Sequence, residues 1–342
     1  MNKDKFTFAV LTYNHESYII EHLESIKFLI ETFGAAYHFN LIIADDGSRD
    51  RTVELANQWI SANTDLFTDI KVLADGSNKG TCFNYTRLWP LIEGDLFKIT
   101  AGDDIYSCID LFKEVETLKN NDFFSGLPLL LIDGKIEESR STIFHILATD
   151  VIYKGKKLIE RLRGISSINT PSLFCNKKFL KDNELSNFIN GFSVTEDFPM
   201  IVKIANSYEN VTFAQAKKIY IYYRRTSGST YLVRGSDFDL DKLKAFDYML
   251  SNEKNWLDRL ILKNRIYCYK LNNTPMKKLL NIGYYLYLFK IIANLRSITQ
   301  ACSKSPSDTH LHQSHYDLIV KRANAFLINQ QNKLTSQTNE TP

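Results

Sequence analysis

The sequence predicts an α/β fold: a single Rossmann-like, mainly parallel sheet with helices on both faces, followed by a C-terminal helical region. Three observations support this prediction. Short apolar runs alternate with helical patterns over the first third of the chain, an order typical of parallel sheets. The connections between them are short. A polar loop follows each of the first four apolar runs, which places these loops at the edge where open α/β sheets bind ligands.

The apolar runs are predicted as strands and the segments between them as helices. The first strands are Phe6–Leu11, Leu41–Ala44, Ile70–Ala74 and Leu96–Thr100. The helices between them are Glu16–Phe33, Arg51–Ala62 and Thr81–Ile92, the first with apolar residues at helical spacing. Later strands are predicted at Leu127–Ile132 and Ile219–Tyr223, and later helices at Lys156–Arg163, Asp239–Lys263 and Met276–Ile298.

The composition indicates an ordinary globular protein. The 342 residues are 44% hydrophobic and 24% charged, and the net charge of +3 is too small to suggest nucleic-acid binding. Five scattered cysteines argue against a disulfide framework or a zinc site and fit a reducing cytoplasm. The apolar N-terminal run is too short for a signal peptide, and no uncharged run of 18 residues predicts a membrane span.

Four polar loops carry the candidate chemistry. They read T-Y-N-H (12–15), D-D-G-S-R-D (45–50), D-G-S-N-K-G (75–80) and A-G-D-D (101–104). Each alone is turn chemistry, but four on one sheet edge are typical of a nucleotide site. The chain has neither a glycine-rich dinucleotide loop after its first strand nor a phosphate-binding P-loop. A bound diphosphate would therefore need a metal ion.

The adjacent carboxylates Asp103 and Asp104 have two interpretations. An aspartate after a strand can cap a following helix, because it accepts hydrogen bonds from free amides. Paired carboxylates also need a cation nearby, and Mg²⁺ or Mn²⁺ prefers oxygen ligands. We predict Asp103 as the ion ligand and Asp104 as the supporting cap.

The ordered set of motifs resembles family 2 glycosyltransferases of the A-type fold, of the inverting kind that builds bacterial surface polysaccharides. The resemblance rests on F-A-V-L-T-Y-N-H, I-I-A-D-D-G-S-R-D, N-K-G-T-C-F-N and I-T-A-G-D-D-I-Y. It extends over residues 6–229.

The resemblance implies a role for each loop. Thr12, Tyr13 and Asn14 would line the nucleobase and ribose. Asp45 would accept a hydrogen bond from the base, with Asp46 and Ser48 holding the loop. Residues bordering the base and donor sugar would be Asn78, Lys79, Gly80 and Asn84.

Asp103 matches a position that binds Mn²⁺ or Mg²⁺ in the family. The chain departs from the family pattern at two places. The first aspartate of the metal motif is replaced by Ala101 or Gly102, depending on the alignment. Many relatives have a histidine where this chain has Thr226.

A second acidic element follows at Thr195–Glu196–Asp197. It could be a helix cap, since Asp and Glu precede an apolar helical run. The resemblance implies instead that Asp197 is the catalytic base, with Glu196 on the acceptor side. Further along, Arg224 and Arg225 would bind the donor diphosphate; the alternative is a solvated basic loop.

The chain is predicted to divide into a catalytic domain (1–235), a helical region (236–335) and a disordered tail (336–342). For residues 276–298, packing on the catalytic domain, self-association into a homo-oligomer and contact with a membrane surface stay open. A membrane span is disfavoured by length and charge. The spacing of His310, His312 and His315 would also allow a metal site.

The predicted protein is an inverting hexosyl- or N-acetylhexosaminyltransferase of the cytoplasm or the inner face of the cell membrane. It would use a nucleotide-sugar donor, with a UDP-sugar favoured, and a lipid-linked glycan acceptor in capsule, lipopolysaccharide or wall-polymer synthesis. Two alternatives remain. A nucleotidyltransferase would need a glycine- and basic-rich loop where T-Y-N-H stands. A non-catalytic glycan- or nucleotide-binding protein would have a degenerate site.

Overall fold

A computed structural model describes residues 3–226, 236–272, 274–303 and 308–339. The strands are β1 Asp4–Thr12, β2 Tyr37–Asp45, β3 Asp69–Leu73, β4 Leu96–Ala101, β5 Ile105–Tyr106, β6 Phe123–Ser125, β7 Leu129–Ile132, β8 Lys135–Glu137, β9 Leu173–Cys175, β10 Phe213–Gln215 and β11 Ile221–Arg225. The helices are α1 Ile19–Phe33, α2 Thr52–Ser61, α3 Thr81–Leu88, α4 Leu111–Val115, α5 Arg140–Ile152, α6 Leu158–Arg163, α7 Asn183–Ile189, α8 Asp197–Ser207, α9 Asp237–Asn252, α10 Trp256–Lys270, α11 Thr274–Leu279, α12 Ile282–Ala293, α13 Leu295–Ser303 and α14 Thr309–Asn339.

The predicted α/β fold class is confirmed. The central sheet has the order β3-β2-β1-β4 with all strands parallel. Alternate residues of β1 enter two different cores: Phe8 and Val10 pack on one face and Ala9 on the other. Both faces are apolar because helices cover both, which explains why β1 reads as a continuous apolar run.

Two smaller sheets, which the sequence did not predict, extend this core. Their orders are β5-β11-β7-β8 and β10-β6-β9. In the first, Ile105 pairs with Tyr222 across an antiparallel ladder. This pairing brings the residues after β4 beside the end of β11.

The prediction of two long helices near the C-terminus is wrong. The segment Asp239–Lys263 is divided between α9 and α10, because the Asn255 side chain accepts hydrogen bonds from Leu257 N and Asp258 N and starts a new helix. The segment Met276–Ile298 is divided among α11, α12 and α13, with Asn281 capping α12 in the same way.

The C-terminal helices share a core with the preceding residues. Ala245, Phe246 and Leu262 belong to the same buried cluster as Ile42 and Cys82, so one core crosses the predicted boundary at residue 235. The functional division at that boundary stays a prediction. The last helix, α14, packs against α1 and continues to Asn339, within the tail predicted to be disordered; residues 340–342 lie outside the described part.

Among the described residues, no helix combines the length and hydropathy needed to cross a membrane.

Candidate active site

A cavity of about 1040 Å³ opens at the carboxyl edge of the central sheet. Because β1, β2 and β4 are parallel neighbours, their C-terminal loops meet there. The structure places most of the predicted site residues on its wall: Thr12, Tyr13, Asn14, Asp46, Asn84, Asp103, Asp104, Glu196, Asp197, Arg224 and Arg225. It places five others outside the lining: Asp45, Ser48, Asn78, Lys79 and Gly80.

Asp45 is buried beneath the first two loops. Its Oδ2 accepts hydrogen bonds from Thr12 Oγ1 at 3.0 Å and from the Ser48 hydroxyl, and its Oδ1 accepts from Ser48 N at 2.8 Å. Ser48 Oγ in turn accepts from Asn14 N at 2.8 Å. Asp45 therefore joins the loops after β1 and β2; its implied contact with a nucleobase stays a prediction.

Asp46 joins the second loop to the third. Its Oδ1 accepts hydrogen bonds from Lys79 N at 2.7 Å, from Gly80 N at 3.1 Å and from the Asn84 side chain. Gly80 has a φ of +89°, a conformation that suits glycine, and directly precedes α3. One buried carboxylate thus fixes both the loop and the start of the helix that carries Asn84.

Gly47 allows these loops to approach closely. Its φ is +76°, and a Cβ there would stand 2.9 Å from Asn78 N. A side chain would therefore be strained and would also push the two loops apart. Asn78 itself is exposed, and its implied contact with the donor stays a prediction.

Asp104 does not cap a helix, so that interpretation is wrong. The next residues form β5, and the following helix α4 is capped by Asp110. The Asp104 carboxylate instead accepts a hydrogen bond from Arg224 N at 3.0 Å, which ties the loop to β11. Burial and the neighbouring Asp103 raise the pKa of Asp104 well above its usual range.

The Asp103 side chain has the environment expected of a single-carboxylate metal ligand. It lines the cavity, and among the described residues its carboxylate forms no hydrogen bond or salt bridge. Oxygen is the donor that Mg²⁺ and Mn²⁺ prefer, and both ions commonly take few protein carboxylates together with phosphate and water. The described residues contain no group of three or more His, Cys, Asp or Glu arranged to hold a metal. Because the Asp103 carboxylate faces the cavity without a protein partner among the described residues, it fits an ion that a bound diphosphate would also hold.

The histidine spacing at 310–315 does not build a metal site. His312 Nδ1 lies 2.8 Å from Tyr222 Oη, and His315 Nε2 lies 3.1 Å from Tyr106 O. His310 is exposed. The buried pair instead attaches α14 to β11 and β5.

Arg224 is engaged by protein groups. Its guanidinium forms a salt bridge with Glu21, donates from Nε to Asp103 O at 2.7 Å and lies over the Tyr18 ring. These contacts hold the main chain of Asp103. Binding of diphosphate by Arg224 or Arg225 stays a prediction, and the residues that follow Thr226, up to 235, lie outside the described residues.

Asp197 begins α8 at the cavity wall, immediately after Glu196. Its Oδ1 accepts a hydrogen bond from Phe198 N. Burial and the charge of Asp197 raise the pKa of Glu196 above its usual range. The two acids therefore occupy one wall of the cavity side by side.

Sequence reasoning missed Asp241, which holds the loop before these acids. This α9 carboxylate is 4% exposed and accepts hydrogen bonds from Ser193 N, Val194 N and Thr195 N at 2.8–3.1 Å. An aspartate on an amphipathic helix 46 residues downstream gives no local signal of this contact.

Sequence reasoning also missed Lys98, although a lysine inside an apolar strand is a signal. Its side chain lines the cavity and is 5% exposed, and its Nζ donates to Leu173 O at 2.9 Å. Burial lowers its pKa to about 8, while Asp104 and Asp197 favour the charged form. Lys98 thus places a positive charge at the floor of the cavity, near Asp104 and Asp197.

The model of the family described as "Glycosyl transferase family 2" matches residues 7–180, just over half of the chain. The chain belongs to glycosyl transferase family 2. The family and the glycosyltransferase class predicted from the motifs are confirmed. No curated protein matches this family 2 chain.

Solved structures show the same fold at low identity. TarS from S. aureus is 16% identical over 95% of this chain, with a TM-score of 0.55. This chain spans 53% of that longer TarS chain. TarS 1–349 in complex with UDP-GlcNAc is 16% identical over 96% of this chain and 92% of its own, with a TM-score of 0.54. Mannosyltransferase PcManGT from Pyrobaculum calidifontis, in complex with GDP-Man and Mn²⁺, is 13% identical over 96% of this chain and 88% of its own, with a TM-score of 0.52.

Proposed function

We propose that this family 2 chain is an inverting transferase that moves a hexosyl or N-acetylhexosaminyl group from a UDP-sugar to a hydroxyl of a glycan. The observation that carries the proposal is the presence of two separate acidic elements on one cavity. Asp103 lies in the loop after β4, and Asp197 lies at the start of α8. The proposed transfer uses a carboxylate in two places. One would hold the metal ion at the leaving diphosphate, and the other would take the proton of the attacking hydroxyl.

Asp197 is assigned as the base. As the acceptor oxygen forms its bond to the anomeric carbon, the bond from that carbon to the diphosphate oxygen breaks, and its electron pair leaves with the nucleoside diphosphate. The hydroxyl proton passes to the Asp197 carboxylate. Attack opposite the leaving group inverts the anomeric centre. Glu196, whose pKa is raised, is assigned to orient the acceptor.

The loops of the sheet edge are assigned to the donor. Thr12, Tyr13 and Asn14 would hold the nucleoside, and Asn84 would border the sugar. A bound Mn²⁺ or Mg²⁺, held by Asp103, would supply positive charge at the leaving diphosphate.

The donor base and the acceptor are the finer parts of the proposal. A UDP-sugar is supported by the complexes of TarS with UDP and UDP-GlcNAc, although PcManGT is in complex with GDP-Man. We assign a lipid-linked glycan of capsule, lipopolysaccharide or wall polymer as acceptor, which would place the enzyme at the cytoplasmic face of the membrane.

Thermal unfolding of the full chain with UDP-, GDP- and dTDP-sugars tests the donor assignment. A ligand that binds only the folded state raises the midpoint, by a few degrees at saturating concentration. We expect the largest increase with a UDP-sugar and Mn²⁺, and a smaller one after EDTA treatment.

Two variants test the metal assignment. Asp103→Asn should remove the difference in thermal midpoint between Mn²⁺ and EDTA. Asp65→Asn, which changes an exposed aspartate just before β3, is the control and should keep that difference. If no nucleotide sugar changes the midpoint, the non-catalytic alternative replaces this proposal.

A further inference from the structure

The exposed side of α12 is apolar. Ile282, Tyr285, Phe289 and Ile292 recur at spacings of three and four residues, which places them on one face of the helix. Phe289 is 71% and Ile292 is 72% exposed. The side of α12 that faces the protein carries Tyr287, which is buried with its hydroxyl 2.8 Å from His145 Nδ1. Packing on the protein therefore explains one side of α12 and leaves the other unexplained.

The helices next to α12 expose large apolar side chains as well. Trp256 on α10 is 74% exposed, Leu279 on α11 is 65% exposed and Leu295 on α13 is 55% exposed. α10 contacts α11 and α12, and α12 contacts α13. We define Trp256, Leu279, Phe289, Ile292 and Leu295 as the apolar helix surface. Exposed apolar residues on neighbouring elements mark an interaction surface.

The charge of this segment identifies the kind of partner. Residues 259–307 contain nine Lys and Arg and no Asp or Glu, whereas the whole chain has 42 basic and 39 acidic residues. The rest of the chain is therefore net negative. Lys278 and Arg296 are exposed, and among the described residues neither forms a salt bridge. The surface combines unpaired positive charge with aromatic and aliphatic side chains.

These observations favour an anionic bilayer over a second copy of the chain. Pairing two identical surfaces would bring two basic, acid-free segments together, and like charges repel. An anionic bilayer attracts the basic residues and accepts the apolar side chains at the boundary between headgroups and acyl chains. We propose that α10–α13 bind an anionic lipid membrane through the apolar helix surface.

One of these helices also lines the cavity. α10 presents Trp256 to solvent and Arg265 to the cavity, and α5, which contacts α12 and α13, lines the cavity through Thr142 and Ile146. The helices proposed to bind the membrane therefore include, or contact, elements that line the cavity. The delivery of a lipid-linked acceptor from the membrane to the cavity rests on the proposed function; membrane binding itself does not.

Co-sedimentation of the full chain with vesicles tests the inference. One set of vesicles is phosphatidylcholine, and the other is an equimolar mixture of phosphatidylcholine and phosphatidylglycerol. We expect binding to the mixed vesicles that weakens with salt. The double variant Phe289→Glu/Ile292→Glu should lose this binding by more than about tenfold, because charged groups replace the side chains that enter the bilayer.

Two further variants separate the causes. Lys278→Gln/Arg296→Gln should weaken binding about 25-fold, since each basic residue near an anionic surface contributes about fivefold. Ile328→Glu, at an α14 side chain that is 56% exposed, is the matched control and should bind like the wild type. Each variant should keep the thermal midpoint and the donor-induced shift of the wild type, because the altered side chains are exposed and outside the cavity.

Three outcomes would overturn the inference. The wild type could fail to bind the mixed vesicles, or Phe289→Glu/Ile292→Glu could bind as well as the wild type. Light scattering could also show a wild-type dimer that this double variant dissociates, without vesicle binding, which would assign the surface to a second copy. Vesicle binding without any donor-induced shift would contradict the proposed function and leave this inference standing.

Discussion

The loops of residues 12–104 and the helices of residues 236–339 contribute to the same cavity in different ways. The loops are neighbours on one sheet edge and hold each other, as Thr12 and Asp45 do. The helices reach the cavity through single side chains that are distant in sequence, as Asp241 reaches Thr195. Sequence motifs therefore identify functional residues that lie close together in the sequence. They do not identify residues distant in sequence, such as Asp241, that hold the loops in place.

The largest expected effect is the loss of transfer rate when the assigned base, Asp197, is replaced. Asp197→Asn should lower the rate of transfer by about 10² to 10⁴, the range of general acid–base catalysis. Donor affinity should change little, because the donor is assigned to other loops. Steady-state rates together with donor-induced thermal shifts measure both. If Glu196→Gln costs more than Asp197→Asn, the base is Glu196 and the assignment is reversed.

The next effect tests the contribution of the C-terminal helices. Asp241→Ala leaves three main-chain amides, of which that of Thr195 is buried, without their acceptor, so the free energy of unfolding should fall by about 1–3 kcal/mol. The transfer rate should fall as well, because the loop before Asp197 loses its support, while donor affinity stays close to that of the wild type. Asp247→Ala, an exposed position on the same helix, is the matched control.

The comparison would fail if Asp241→Ala weakened donor binding as strongly as transfer. That result would mean that α9 supports the whole cavity and not the acidic loop alone.

A smaller effect tests the sheet edge. Asp46→Asn replaces a carboxylate that accepts from Lys79 N, Gly80 N and Asn84. Loss of this charge-assisted acceptor should weaken donor binding by about tenfold and leave the transfer rate at saturating donor nearly unchanged. Isothermal titration with the donor measures the affinity. A variant that binds donor normally but transfers slowly would contradict the separation of roles.

The smallest effect concerns the contact of α14 with β5. Burial lowers the pKa of His315 from 6.5 to about 4, so the folded protein keeps this histidine neutral where the unfolded chain takes up a proton. Stability should therefore fall as the pH decreases from 6.5 towards 4, by about 1 kcal/mol over the first pH unit. His315→Gln should reduce this pH dependence in denaturant titrations. An unchanged difference between pH values would mean that other groups cause it.

The sequence was sufficient to predict the central sheet and to predict that the four polar loops lie at one edge of it. β1 and β4 are buried over most of their length because both faces are covered, and short connections leave little choice of topology. It was insufficient where contacts are long-range, as for Asp241. The division of the C-terminal helices was within reach, because Asn255 and Asn281 are good N-cap residues inside a helical pattern. The Asp104 carboxylate accepts a hydrogen bond from Arg224 N of β11, a tertiary contact that the local sequence pattern does not indicate.

The chain of contacts from α14 to the loop of Asp103 has a consequence for the order in which the structure can form. Tyr316 Oη donates to Glu21 at 3.3 Å, Glu21 pairs with Arg224, and Arg224 Nε donates to Asp103 O. Residues 4–101, which form the central sheet, are synthesised before α14 and contain their own strand partners. The outer support of Asp103 is synthesised more than 200 residues later. A nascent chain could thus pair the strands of its central sheet early, yet the contacts that hold the loop of Asp103 would be completed only after α14 has been synthesised.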